Sequence, residues 1–224
     1  MTARVLVVSV GAVRPLAWHG RSVPSGIRKT PVTGPVEVTE LGLAGDEQGD
    51  RKHHGGPDKA VLLYPNEHYA AWRPHLSDLT PPAFGENLTT TGLLESDVVL
   101  GAIYEVGDVV LQVTQPRRPC YKLAARHDVP DLAVLTQRTG RTGFYCRVLT
   151  PGTVTADRPI TLRSRPAHGI TVAEAHRVVN VDRADHAAAR RLLAHPEALP
   201  ASWLPLLRDR LVGRLDDQTP RLHG

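Results

Sequence analysis

Ile103-Tyr104-Glu105-Val106-Gly107-Asp108-Val109-Val110-Leu111-Gln112-Val113-Thr114 is the stretch that decides the fold class. Two runs rich in β-branched and apolar residues flank Gly107-Asp108, the pattern of a hairpin closed by a tight turn. The second strand leads through Gln115-Pro116-Arg117-Arg118-Pro119 directly to Cys120. Two prolines restrict the backbone there, which predicts a sulfur held at the end of a strand rather than on a loose loop.

The same kind of signal recurs on both sides of this hairpin. Residues 4–10 form a continuous β-branched run, the mark of a buried strand, and residues 36–40 alternate apolar with polar as a half-exposed strand does. A third strand is predicted over 60–64. Pro65-Asn66 then opens a helix running to about Leu76, with Tyr69 and Trp72 on one face. Downstream, a short helix over 131–139 stops at Gly140, and strands over 144–149 and 160–163 are joined through Pro151-Gly152. Many short strands with Gly and Pro turns predict a β-rich α+β fold built on a barrel or sandwich.

The pattern changes after Arg165-Pro166-Ala167-His168-Gly169. Thr171 with Glu174 three residues on is a capping box, and Asn180 closes that helix. A second helix is predicted over 183–194. A third follows Ser202, with Leu204, Leu207, Leu211 and Leu215 as its apolar stripe. The expected organisation is therefore a β domain over 1–165, a three-helix extension over 166–215 and a flexible tail over 216–224, which has no apolar period.

A chain of 224 residues can bury a substantial core. No apolar stretch reaches membrane-spanning length, and the first ten residues are too short and too strand-like for a signal peptide. Cys120 and Cys146 make neither a disulfide framework nor a zinc pattern, so a cytoplasmic protein with reduced thiols is expected. The net charge of +4 suits nucleic acid and a phosphate-bearing cofactor equally. Arginines 190, 191, 208, 210 and 214 raise the idea of a DNA-reading helix pair. The turn over 195–201 contains Pro196 and Pro200, however, and does not look like a recognition turn, so no nucleic-acid partner is expected.

Three clusters carry chemistry. Arg117, Arg118 and Lys122 surround Cys120, and fixed positive charge favours a thiolate, the form that ligates soft metals and attacks electrophiles. The plain alternative is a small buried thiol that happens to follow two surface arginines. The second cluster is the glycine-rich loop over 41–59, which adds Arg51, Lys52, His53, His54 and Lys59 and suits an anion. Its Asp46, Asp50, His53 and His54 are also metal-ligand types, although adjacent histidines rarely converge on one ion and such loops often only turn the chain. Third, Gly85-Glu86-Asn87-Leu88-Thr89-Thr90-Thr91 offers a carboxylate, an amide and three hydroxyls to a heteroaromatic ring or a phosphate. Lys29 adds a basic point near a strand end.

Taken in order, these clusters resemble the MOSC family, the domain named after the C-terminal part of molybdenum-cofactor sulfurase, and within it the YiiM-like branch. The residues that carry the likeness are Leu41-Gly42-Leu43, Gly45-Asp46, His54-Gly55-Gly56, Lys59-Ala60, Tyr64-Pro65, Glu67-His68-Tyr69, Trp72, Gly85-Glu86-Asn87-Leu88 and Gln115-Pro116-Arg117 with Pro119-Cys120-Tyr121-Lys122-Leu123. The resemblance implies a MOSC-type β-barrel, with the helical extension usual in that branch. It implies molybdenum cofactor (molybdopterin) bound with Cys120 as the metal ligand, and does not imply pyridoxal phosphate. Lys29, Glu40, His54, Lys59, Asn87 and Arg117 are then the expected cofactor-binding residues, with Cys120 and His54 catalytic and His54 the proton donor by type.

The implied activity is reduction of N-hydroxylated purines and related N-hydroxylated compounds, the basis of resistance to 6-N-hydroxylaminopurine. The alternative is a non-catalytic module that uses Cys120 as a persulfide or cofactor holder. With no Rossmann fingerprint, flavin motif or iron–sulfur cysteine set in the chain, a separate electron-donating reductase is expected. A homodimer is the favoured assembly.

Overall fold

A computed structural model of the protein describes residues 2–50, 55–77 and 79–224. In chain order its strands are β1 (Arg4–Val10), β2 (Arg14–Trp18), β3 (Arg21–Ser25), β4 (Thr30–Pro31), β5 (Val36–Thr39), β6 (Gly42–Leu43), β7 (Val61–Pro65) and β8 (Leu88–Thr91). They continue with β9 (Ile103–Val106), β10 (Val109–Pro116), β11 (Phe144–Thr150), β12 (Gly152–Val154) and β13 (Ile160–Ser164). The predicted hairpin is β9–β10, with Val109 opposite Val106 across Gly107-Asp108. It lies inside an eight-stranded sheet of order β13-β9-β10-β11-β7-β8-β1-β4, in which only the β7–β8 pairing is parallel.

The fold is a mixed α+β one with a large sheet, and no closed barrel is found among the described residues. The sheet's outer strands, β13 and β4, do not pair with one another. The start of β1 touches the approach to β13 through a single bridge, Arg4 to Pro159, flanked by Val5 N–H to Arg158 O (2.9 Å) and Ile160 N–H to Ala3 O (2.8 Å). Proline has no N–H to extend a ladder, and the far end of β1 is already taken by β4 at Ser9–Pro31 and Val10–Thr30.

One apolar core runs beneath the sheet. Val5 and Val8 of β1, Leu111 and Val113 of β10, and Phe144 and Cys146 of β11 all belong to it. So do Val172, Ala175, Leu192, Trp203 and Leu207 from the C-terminal helices, so these helices are packed into the same core as the sheet. A second core gathers Tyr64, Tyr69, Trp72, Phe84, Leu123 and Leu132, with Tyr64 and Phe84 stacked at 4.3 Å between ring centroids.

The helices depart from expectation where proline or polar anchoring intervenes. The helix expected to run to Leu76 is a 3-10 turn (Asn66–His68) followed by α1 (Tyr69–Trp72). Pro74 follows it, and a proline has no N–H to donate into the preceding turn, although Arg73 before it still has helical angles (φ −52°, ψ −35°). Helix α2 (Tyr121–His127) follows Cys120 directly, and α3 (Leu132–Thr139) ends at Gly140 as expected. Thr171 caps α4 (Val172–His176), its hydroxyl accepting from Glu174 N–H at 3.1 Å; a π-helical turn (Arg177–Val181) then carries the chain past Asn180. Helices α5 (His186–Leu193) and α6 (Trp203–Leu211) complete the extension. Leu207 is fully buried, whereas Leu215, beyond the end of α6, is exposed and outside the stripe.

The segment expected to be a flexible tail carries α7 (Thr219–His223), with Leu222 buried. Asp216 anchors it, accepting from Arg118 at 3.0 Å and from the buried Arg210 at 2.9 Å. Ionic anchoring of this kind leaves no apolar period in the sequence. Among the described residues no helix is long and apolar enough to cross a membrane.

Candidate functional site

The site begins where β10 ends. Pro116 is the last strand residue, and Cys120, in extended conformation (φ −133°, ψ 165°), stands at the N-cap of α2. Strand alternation on β11 sends Phe144 and Cys146 into the core and leaves Tyr145 on the other face, paired in register with Gln115. Cys120 and Tyr145 thereby line a cleft with Lys29, Lys59, Asn87 and Arg117.

Two glycines allow the opposite wall to form. A Cβ on Gly26 would lie 2.0 Å from Glu47 O, and one on Gly49 would lie 2.5 Å from Pro24 O. The loops over 24–27 and 46–49 therefore lie backbone against backbone, a contact no larger residue permits.

Asp46 organises the floor of the cleft. Its carboxylate accepts from Gly11 N–H (2.9 Å), from Asn87 Nδ2 (2.9 Å) and from Lys29 Nζ. Burial lowers the Lys29 pKa, and Asp46 opposes that shift. Asn87 also accepts from Leu62 N–H at 3.1 Å, so its amide fastens Asp46 to the sheet. Behind it Glu86, with no exposed surface, accepts from Tyr69 Oη (2.5 Å), Thr89 Oγ1 (2.9 Å) and Phe84 N–H (3.0 Å). Glu86 therefore fixes the Gly85–Asn87 turn from the protein side.

The cations are arranged unequally. Burial, with Arg118 nearby, lowers the Lys59 pKa against the pull of Asp50, Asp58 and Cys120. Lys122 Nζ donates to Pro24 O at 3.1 Å. Arg117 is 6% exposed, its backbone N–H donating to Gly143 O at 3.0 Å, while its Nη1 is buried with no hydrogen-bond partner among the described residues. Arg118 turns the other way, to Asn180 Oδ1 (2.9 Å) and Asp216. Two adjacent arginines thus serve opposite ends of the site, one facing the cleft and one clasping the C-terminal segment.

Beyond Cys120 the cleft opens into an outer chamber of about 520 Å³ that shares Asp50, Lys59, Cys120, Lys122 and Tyr145 with it. Trp203 and Leu206 of α6 and Pro220 of α7 wall this chamber.

Of the expected site residues, Lys29, Lys59, Asn87, Arg117 and Cys120 are brought together. Glu40 is not; it is exposed on the turn between β5 and β6, outside the cleft lining, because the alternation of β5 turns only Val36 and Val38 inward. His54 lies outside the described residues. Tyr145 and Trp203 were not singled out from sequence, although the Phe144-Tyr145-Cys146 alternation held the signal for the first. No group of three or more His, Cys, Asp or Glu side chains that could hold a metal ion occurs among the described residues.

A large mixed sheet with a buried basic cleft and a cysteine at the strand end fits the class outlined by the sequence motifs, and the chain belongs to the MOSC domain family, whose model matches residues 50–161. Within that family it is similar to protein YiiM of Escherichia coli, 45% identical over 206 residues that cover 90% of this chain and 91% of that one. The crystal structure of YiiM from Geobacillus stearothermophilus superposes with a TM-score of 0.78 at 38% identity, covering 93% of this chain and 99% of the other. A Gibberella moniliformis protein named Reductase is 37% identical over 216 residues, which make up 92% of this chain and 37% of the fungal one.

Proposed function

We propose that this protein binds molybdenum cofactor with Cys120 as the metal ligand and reduces N-hydroxylated compounds, N-hydroxylated purines among them, to the corresponding amines. The observation that carries the reading is Arg117 Nη1, buried in the cleft that Cys120 lines and without a hydrogen-bond partner among the described residues. An unpaired buried donor costs about 1–3 kcal/mol, which an anionic ligand in the cleft would recover. MOSC domains are associated with this cofactor in general, and the residues present suit it. A cysteine sulfur suits a soft metal, and Arg117, Lys29 and Lys59 suit a phosphate.

When bound, the group supplies a metal centre able to exchange electrons in pairs. The protein's own residues hold it, screen it from water and manage protons. Converting N–OH to N–H consumes two electrons and two protons and releases water. Burial raises the Tyr145 pKa, so its hydroxyl stays protonated and can donate a hydrogen bond between cleft and chamber. His54 is the proton donor suggested by residue type. The electrons come from a separate reductase. In support, the similar fungal chain called Reductase is nearly three times as long as the region it shares with this one.

The test is Cys120→Ser, expressed in a host that makes the cofactor, with molybdenum content and N-hydroxyadenine reduction measured together. Metal should fall at least about tenfold and reduction should disappear. Retained metal and activity would overturn the assignment. Metal bound by the unaltered protein, with no reduction under any reductase, would favour a cofactor or sulfur carrier instead.

A further inference from the structure

We infer that Glu95, which lines neither the cleft nor the outer chamber, is a positioning residue for Arg117. It acts through the turn over 140–143 and sets where the Arg117 guanidinium stands. The inference rests on the reading above only in taking the inner cleft to hold an anion.

Glu95 is 4% exposed, and a buried carboxylate is costly unless donors surround it. Its Oε1 accepts from Thr142 N–H (3.0 Å) and Gly143 N–H (2.7 Å), and its Oε2 lies 2.6 Å from His68 Nε2. The main chain of Glu95 is fixed as well, because its carbonyl accepts from Ala173 N–H of α4 at 2.9 Å. Glu95 is thus anchored by α4 and by the 3-10 turn that carries His68, and it anchors the 140–143 turn in its place. An exposed turn leaves such N–H groups to water; here one carboxylate takes both.

The carbonyl of that same Gly143 receives Arg117. Pro116 closes β10 without an N–H to offer, and the next main-chain donor, Arg117 N–H, reaches Gly143 O at 3.0 Å. Gly143 fits closely where it is. Its φ is +68°, and a Cβ there would lie 2.4 Å from Leu63 O and 2.9 Å from Tyr64 Cδ2. Tyr64 Oη also donates to Arg141 O at 3.2 Å. Gly143 O therefore stands where β7 on one side and Glu95 on the other put it. Arg117 follows, and with it the Nη1 that has no partner among the described residues.

Reach and charge can be separated at Glu95. Glu95→Gln keeps the reach: its amide oxygen can accept from both N–H groups while its nitrogen donates to the other tautomer of His68. Glu95→Asp keeps the charge but is one methylene short. A positioning role ranks Gln above Asp, and a role as a bare buried charge ranks Asp above Gln.

The experiment titrates inorganic phosphate into the full-length apoprotein and reads its affinity for the cleft as protection of Cys120 from iodoacetamide. Molybdenum content is measured on the same variants from a host that makes the cofactor. Phosphate should slow labelling of the unaltered protein. Glu95→Asp and Glu95→Ala should weaken the protection at least about tenfold, and Glu95→Gln should stay within about threefold. Glu67→Ala removes the neighbouring clip to Thr91 Oγ1 and Gly92 N–H, so it controls for lost stability alone and should be protected like the unaltered protein. Should Glu95→Ala not fold, the Gln and Asp pair decides.

Unchanged protection in folded Glu95→Asp would overturn the inference, as would an equal loss in Glu67→Ala. Absence of phosphate protection in the unaltered protein would overturn it too, since Arg117 would then hold no anion. The expected ranking in a protein that never acquires molybdenum would uphold the positioning role while refuting the cofactor reading. Normal molybdenum content, with protection indifferent to every Glu95 variant, would do the reverse.

Discussion

Cys120 and Cys146 are both buried thiols on neighbouring parts of one sheet, and their surroundings make them chemically different. Cys146 sits on β11 between Val113 of β10 and Val61 of β7, and burial alone pushes its thiol pKa far up. Cys120 follows the end of β10, where the ladder has stopped, and lines both the cleft and the outer chamber. Burial measured as lost surface is similar, at 1% and 7% exposure, and so does not separate them. What separates them is the neighbourhood: closed apolar sheet around one, a cleft that also holds lysines and an arginine whose Nη1 has no partner among the described residues around the other. A thiol's role follows from what can reach it.

The largest expected effect is on reactivity. In the folded apoprotein at pH 8, iodoacetamide should label Cys120 at least about a hundredfold faster than Cys146, which should react only as fast as the sheet opens. Peptide mass spectrometry over a time course measures both rates at once. Comparable rates would break the contrast.

Stability should show the opposite asymmetry. Cys146→Ser puts a hydroxyl into the apolar core and should cost about 1–3 kcal/mol in denaturant unfolding, with cofactor binding unchanged. Cys120→Ser faces a polar cleft and should stay within about 1 kcal/mol of the unaltered protein. A destabilised Cys120→Ser protein would mean that this thiol is a packing residue after all.

A smaller effect is expected from the clasp behind Cys120. Asp216→Asn removes the carboxylate shared by Arg118, Arg183 and Arg210, and of these Arg210 is only 1% exposed. Loss of a fully buried pair would cost several kcal/mol. Asp216 is itself about a third exposed, and Arg210 keeps the carbonyls of Val178 and Val179, so about 1–2 kcal/mol is expected. The disturbance should be polarised: labelling of Cys120 should quicken, because Arg118 is released two residues away, while Cys146 stays protected. Hydrogen exchange of α7 and α2 would map the same polarity.

The two thiols also mark how far the sequence could be read. Alternation and β-branched runs located β1, β5, β7, β9, β10, β11 and β13 because each has one face in an apolar core. The β2–β3 hairpin carries Pro15, Pro24 and several exposed positions, so it gives no such rhythm. Helix α2 was masked by its own chemistry, since the residues after Cys120 read as a site rather than as a helix start. Barrel closure depends on which edges pair, and hydropathic rhythm carries no signal for that; β1 meets the approach to β13 only at the Arg4–Pro159 bridge. The cleft residues were legible as clusters of charge, glycine and amide. Their division of labour was not, because Arg117 and Arg118 look alike in sequence and only the packing of the C-terminal segment sends one to Asp216.

The smallest effect concerns pH, and it tests whether the Cys120 side is the softer one. His176 on α4 is buried; its Nε2 lies 2.8 Å from Gln137 O and its Nδ1 3.2 Å from Asn180 Nδ2, so the neutral ring donates at Nε2 and accepts at Nδ1. Burial lowers its pKa, with the Gln137 carbonyl opposing. His127, at the end of the helix that Cys120 caps, is lowered likewise by burial, with Ala83 O at 2.7 Å opposing. A histidine whose folded pKa is depressed is neutral in both states at high pH. As pH falls through the unfolded value near 6.5, only the unfolded chain gains protons, and stability declines until the folded rings also protonate. Asp216, whose pKa its arginines hold down despite partial burial, keeps its charge through this window, so the interval from about pH 7.5 to 5 reports the histidines. Tm should fall there by on the order of 2–4 °C, the shift that about 1 kcal/mol gives in a domain of this size. His127→Gln should flatten the slope and reduce the acid-induced exposure of α2, whereas His176→Gln should flatten it without touching α2. If Tm is level across the interval, the two rings are not held neutral by the fold, and the Cys120 side has no acid-sensitive support that the Cys146 side lacks.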